Sequence, residues 1–206
     1  LLHGGWGSWS HWIKVIPGLV GSRSVFIADL PGMGDSSNVI SNRIEEFSKI
    51  VADGISNILP DNTHYDLAGF SFGAVVGGFV ASQHKLFCRS FTIVGASGFG
   101  SLQNIIDGIR IPAKYLSLKN KKTIHKNNLK LLMLSNENAI DDLATHIHRI
   151  NIERGRFRSR QISSSQILMD MLPNITAKIG GIWGELDQTS GGKHNLVMRK
   201  QILRIV

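Results

Sequence analysis

Tyr65-Asp66-Leu67-Ala68-Gly69-Phe70-Ser71-Phe72-Gly73-Ala74-Val75-Val76-Gly77-Gly78-Phe79-Val80-Ala81 is the stretch whose reading decides the fold. Its centre fits G-x-S-x-G, a sharp turn that lifts a serine from the end of a strand. Residues 65–68 read as a short strand, and residues 74–81 as a helix of small side chains. The two glycines flanking the serine leave room for its strained backbone and let the helix close on the strand. Ser71 is therefore a candidate nucleophile.

Short apolar strands and helices alternate on either side. Ser24-Val25-Phe26-Ile27-Ala28-Asp29 reads as a buried strand, and Asn42-Arg43-Ile44-Glu45 as a capping-box helix start. Ile44, Phe47, Val51, Ile55 and Ile58 then mark one helix face, which ends before Pro60. Phe91-Thr92-Ile93-Val94 and Lys178-Ile179-Gly180-Gly181-Ile182-Trp183 are further strands, and a helix is expected over 193–204. This alternation predicts an α/β protein with a mostly parallel sheet and helices on both faces. Residues 96–177 break the pattern. They lean helical, are rich in Asn and Ser, and place Ile140, Leu143, Ile147 and Ile150 on one helical face. They read as an inserted helical cap, leaving 1–95 and 178–206 as the core.

A chain of 206 residues can bury one substantial core, and 42% hydrophobic with 18% charged residues argues against disorder. No apolar run is long enough to span a bilayer. The net charge of +8 lies in one place: residues 110–160 hold twelve Lys/Arg against four acids, and the rest is balanced. Cys88 is the only cysteine, so no internal disulfide forms, which suits a reducing, cytoplasmic setting. The opening Leu1-Leu2-His3-Gly4-Gly5 reads as the end of a strand, and Leu203-Arg204-Ile205-Val206 as an unfinished apolar run. A fragment lacking the first strands and the last strand and helix is the expectation.

Further pieces sit where acyl-transfer chemistry needs them. A tetrahedral intermediate requires backbone N–H donors aimed at its oxyanion, and the glycine-rich turn His3-Gly4-Gly5-Trp6-Gly7 exposes such donors. The residue after the nucleophile, Phe72, offers a second N–H. Asp187, after the strand in Ile182-Trp183-Gly184-Glu185-Leu186-Asp187, is a carboxylate placed to orient a histidine that activates the serine. Trp6 and Phe70 flank these positions and are candidates to line a pocket. Asp29-Leu30-Pro31-Gly32-Met33-Gly34-Asp35-Ser36 reads as a structural loop near the site.

With these four motifs in this order, the chain resembles the α/β-hydrolase superfamily over nearly its whole length. The resemblance implies the α/β-hydrolase fold, Ser71 as nucleophile, Asp187 as triad acid, oxyanion donors at Gly5 and Phe72, and a helical cap between the strands near 94 and 179. A serine at 71, where other members of this fold carry aspartate, points to ester, thioester or C–C bond hydrolysis. The narrower look is of carbon–carbon hydrolases of aromatic-ring degradation and small carboxylesterases. The family's catalytic histidine lies one strand beyond the acid. Only 19 residues follow Asp187, so that loop is expected past Val206. His194, the only histidine after Asp187, sits too close to it in sequence.

The remaining histidines read as structural: His3 fixes its loop, His11 and His64 lie on the surface, and His125 joins the basic face of the cap. His146 and His148 point to different helix faces, so they make no metal pair. Trp9 and Trp12 read as core. The run Arg154-Gly155-Arg156-Phe157-Arg158-Ser159-Arg160 reads as a solvated face, with an arginine binding a substrate carboxylate as the alternative and no nucleic acid expected. The leading reading is a cofactor-free, metal-free serine hydrolase of a small-molecule substrate, with no membrane partner. Alternatives are a non-catalytic ligand-binding member of the fold, or an acyltransferase or haloperoxidase built on it.

Overall fold

The structure, a computed structural model, describes residues 1–41, 43–96, 98–99, 108–163 and 165–189. A turn of 3-10 helix at Trp9–Trp12 leads into α1 (Ile16–Leu19) and α2 (Ile44–Ile58). Next come β1 (Tyr65–Phe70), α3 (Phe72–Gln83) and β2 (Cys88–Val94). Among the described residues α4 (Leu118–Leu132), α5 (Asp142–Arg154), α6 (Arg160–Ser163) and α7 (Ile167–Met171) follow. The last strand among the described residues is β3 (Lys178–Ile182).

The three strands pair in parallel in the order β1-β2-β3. Leu2 extends this sheet on the β1 side, with parallel bridges to both Gly69 and Ala28. The expected strand over 24–29 thus shrinks to one bridging residue. The segment is also not buried as expected, since Phe26 is 53% exposed. Each parallel crossover needs a helical connection, and α3 supplies it between β1 and β2. The expected capping box rests on Asn42, outside the described residues; the helix cap is Arg43, in extended conformation and without a side-chain capping bond.

Helix α3 is the centre of the core. From Phe72 to Ala81 every residue is buried, and the small side chains let neighbours approach on all sides. A Cβ on Gly77 would sit 2.7 Å from the Phe91 ring of β2, and one on Gly78 would sit 2.9 Å from Leu168 of α7. Phe47 from α2, Phe72 and Phe157 form an aromatic cluster, with ring centroids 4.5–5.7 Å apart. Each fully buried phenylalanine or leucine of this kind stabilises the fold by about 1.5–3 kcal/mol. Cys88 is buried too, and burial pushes its thiol up to about 11, which makes it an inert packing group.

Between β2 and β3 the helices behave in two ways. The later part, from Phe157 through Leu168, Leu172 and Ile175 to Ala177, belongs to the same hydrophobic core as α3. The earlier pair, α4 and α5, meets through a different surface. The apolar face expected from Ile140, Leu143, Ile147 and Ile150 is not what α5 buries: Ile140 lies outside the helix and Leu143 is exposed. Thr145, His148 and Asn151 are buried instead. Their partners are polar: Asn151 accepts from Ser8 Oγ at 2.7 Å, and the His148 ring meets the His125 ring edge-on at 5.4 Å. His125 is therefore buried rather than part of a basic surface. No helix among the described residues is long and apolar enough to cross a membrane.

Candidate active site

The site is built at the C-terminal ends of the strands. Ser71 joins β1 to α3 with φ 53° and ψ −118°, a conformation that non-glycine residues adopt only under constraint. Its N–H donates to Val94 O at 2.9 Å, fastening the turn to the end of β2. Both motif glycines are required by collision. A Cβ on Gly69 would lie 2.6 Å from Ala74 Cα, and one on Gly73 would lie 2.5 Å from Leu2 O. Helix α3 starts at Phe72, two residues earlier than the small-residue run suggests, so the Phe72 N–H is among the helix-end donors with no acceptor inside the helix.

The loop after Leu2 lies against this turn. A Cβ on Gly4 would fall 2.9 Å from the Phe70 ring and 3.2 Å from Ser71 Cβ, so the chain passes the serine at backbone contact. Gly5 lies beside Phe72, with 3.8 Å from its would-be Cβ to Phe72 Cβ. His3 holds the loop. Its Nε2 accepts from Leu30 N–H at 2.9 Å, which puts the proton on Nδ1, and that donates to Gly4 O at 2.7 Å. Burial lowers its pKa, so it stays neutral. Asp29 ties the neighbouring loop, accepting from the N–H groups of Trp9 at 2.6 Å and Asp35 at 2.9 Å.

On the other side, Gly95 N–H donates to Ile182 O at 2.8 Å and aligns the ends of β2 and β3. The loop after β3 carries Asp187, whose Oδ1 accepts from Thr189 N–H at 2.8 Å and Thr189 Oγ1 at 2.7 Å. These bonds fix the carboxylate's rotamer. Glu185 is exposed.

Gly5, Trp6, Phe70, Ser71 and Asp187 all line one cavity of about 520 Å³. Phe72 is not among the residues that line it, and its side chain is fully buried. Helix α4 and the loop after it, residues 130–135, close part of the cavity, as do His148 and Ile152 of α5. Its lining combines aromatic and aliphatic side chains with a few polar groups, the usual composition of a small-molecule site.

Two cavity residues escape the sequence reading. His11 is not on the surface: it lines the cavity, its Nδ1 is buried without a hydrogen bond, and burial pushes its pKa down to about 3. His148 lines the cavity too, is pushed down to about 4 by burial, and has a buried, unpartnered Nε2. No local pattern marks either one. Trp12 is core, whereas Trp9 is exposed. The run 154–160 is only partly solvated: Arg154 pairs with Asp35 at 2.6 Å, Arg156 N–H donates to Gly32 O at 2.8 Å, and Phe157 is buried. Among the described residues no group of three or more His, Cys, Asp or Glu is placed to hold a metal. His194 lies outside the described residues.

A family model described as alpha/beta hydrolase fold matches residues 1–119. A pimeloyl-[acyl-carrier protein] methyl ester esterase of Aeromonas hydrophila is 33% identical over 98 residues, 47% of this chain and 37% of that protein. The dihydrolipoyllysine-residue acetyltransferase component of an acetoin cleaving system from Pseudomonas putida is 30% identical over 105 residues, 50% of this chain and 28% of that protein. The chain thus matches well under half the length of these curated relatives. In three dimensions a meta-cleavage product hydrolase of Pseudomonas fluorescens superposes with a TM-score of 0.69 at 15% identity, covering 98% of this chain and 77% of that one. With more than half of its residues matched by the family model and the strand–turn–helix at Ser71 in place, this chain belongs to the α/β-hydrolase fold family.

Proposed function

We propose that this chain carries the nucleophile, acid and oxyanion donors of a serine hydrolase acting on an ester, a thioester or an activated C–C bond. The observation that carries the reading is Ser71. It is held at positive φ at the N-terminus of α3, and it faces a cavity that also receives Asp187. In this reading Ser71 Oγ attacks the carbonyl carbon and passes its proton to a histidine that Asp187 orients. The Gly5 and Phe72 N–H groups stabilise the oxyanion, aided by the positive end of α3. The same histidine protonates the leaving group and then activates the water that cleaves the acyl-enzyme.

That histidine belongs outside the described residues. His3 has both ring nitrogens committed to backbone groups. His11, pushed down to about 3, is a poor base at neutral pH. Within 96–177, helices α4 and α5 serve in this reading as the cap, because both contribute residues to the cavity wall, while the later part packs into the core. The Aeromonas relative, an esterase by name, favours esters as the substrate class. The Pseudomonas putida relative supports a second reading, in which an acceptor other than water takes the acyl group. The lone buried Cys88 suits a reducing compartment, so a cytoplasmic location belongs to the same proposal.

Incubating the full-length protein with a fluorophosphonate probe tests the nucleophile. The expected result is a single adduct on Ser71, absent in Ser71→Ala. A folded protein whose Ser71 stays unmodified overturns the assignment. Product analysis with competing thiol or alcohol acceptors separates hydrolysis from acyl transfer.

A further inference from the structure

The segment that leaves α5 runs extended from Gly155 to α6, and its side chains alternate. Arg156 and Arg158 are exposed, while Phe157 and Ser159 are buried at 5% and 7% exposure. It crosses the molecule as a strap, anchored where Arg156 N–H donates to Gly32 O and its guanidinium bonds Asn38 and Ser36 O. The Gly32 backbone has φ 71°, and a Cβ there would come within 3.1 Å of Phe157 Cβ. Strap and loop are therefore in direct backbone contact.

The two buried strap residues lie behind the two residues read above as oxyanion donors. The Phe157 ring packs on the Phe72 ring with centroids 5.7 Å apart. The Ser159 hydroxyl occupies the space that a Cβ on Gly5 would need. Gly5 lines the cavity and Ser159 does not, so the hydroxyl backs Gly5 from the side away from the cavity. Ser159 Oγ makes no hydrogen bond within the described residues; its part is to fill that space.

We propose that Ser159 is a positioning residue for the Gly5 N–H, so that the strap after α5 sets the oxyanion donors from behind. The role acts through Gly5 and rests on the reading of Gly5 and Phe72 as those donors. Hydrogen bonds to a developing oxyanion depend steeply on donor placement, and a displacement near 1 Å can cost about 100-fold in rate.

The test uses the full-length protein and the labelling rate of Ser71 by a fluorophosphonate. Gly5→Ala should slow labelling at least tenfold, since its Cβ displaces the loop. Ser159→Gly should slow it severalfold, since the loop loses its backing. The double variant Gly5→Ala, Ser159→Gly should label faster than Gly5→Ala alone, because the new methyl enters the vacated space. If the two losses simply multiply, the positioning role is overturned. A second readout needs no chemistry: the Gly5 amide resonance in glycine-labelled protein. Ser159→Ala should shift or broaden it at an unchanged melting temperature. An unmoved resonance overturns the role even if Ser71 is reactive. A moved resonance in a protein whose Ser71 never labels upholds the positioning and removes the hydrolase reading instead.

Discussion

At the scale of single residues, Ser71 is one of three non-glycine residues at positive φ among the described residues, with Trp6 and Asn62. Its φ and ψ belong to a region that glycine enters freely and serine does not. Strain of this kind costs on the order of 1–3 kcal/mol and is held by the surrounding structure. Ser71→Gly should therefore abolish fluorophosphonate labelling while raising stability by about 1 kcal/mol, measured by urea unfolding; a fall in stability would mean that the turn is relaxed. This corner is legible in the sequence because its causes are local. A Cβ at Gly69 would collide with Ala74 and one at Gly73 with Leu2, so the motif records its own backbone contacts. His11 and His148 are illegible for the opposite reason. They share a cavity wall across 137 positions of chain, and neither carries a spacing that announces the other.

At the scale of elements, α3 is defined by what its neighbours need. Replacing Gly77 by alanine adds helix propensity of about 1 kcal/mol, yet its methyl would meet the Phe91 ring at 2.7 Å. Overpacking of this kind costs about 1–3 kcal/mol, so the expected net result is a destabilised protein. A higher denaturation midpoint for Gly77→Ala would show that Phe91 moves aside freely. Small-residue helices can be read from sequence because close packing demands them. Helix α5 could not be read that way. Its apolar positions suggest one stripe, but its partner is the polar loop at Ser8 and Ser10, so Thr145, His148 and Asn151 turn inward. The segment 24–29 differs from its apolar pattern as well: Phe26 is exposed, and Ala28 alone bridges to Leu2.

At the scale of the whole molecule, burial of neutral histidines makes the fold acid-sensitive. His3, His11, His125 and His148 all have pKa values lowered by burial, His11 to about 3 and His148 to about 4. A group depressed in the folded state adds stability above its unfolded pKa near 6.5, and that stability is lost as pH falls toward the folded value. Unfolding free energy should hold near pH 7 and decline from about pH 6.5 down to pH 4. For His148 alone the loss is on the order of 3 kcal/mol across that interval. His148→Gln should flatten the decline, as chemical denaturation at pH 7 and pH 4.5 would reveal; an equal slope in both proteins would mean that His148 is solvated. The polar face of α5 has one more consequence. The α7 seam, at Leu168 and Leu172, is grease on grease, and parting it exposes apolar surface to water. The α5 seam at Ser8 and Asn151 is wettable: each bond broken there is replaced by one to solvent, at a net cost of only about 1 kcal/mol. Opening along α5, beside the cavity, is therefore expected to cost less than parting the α7 seam.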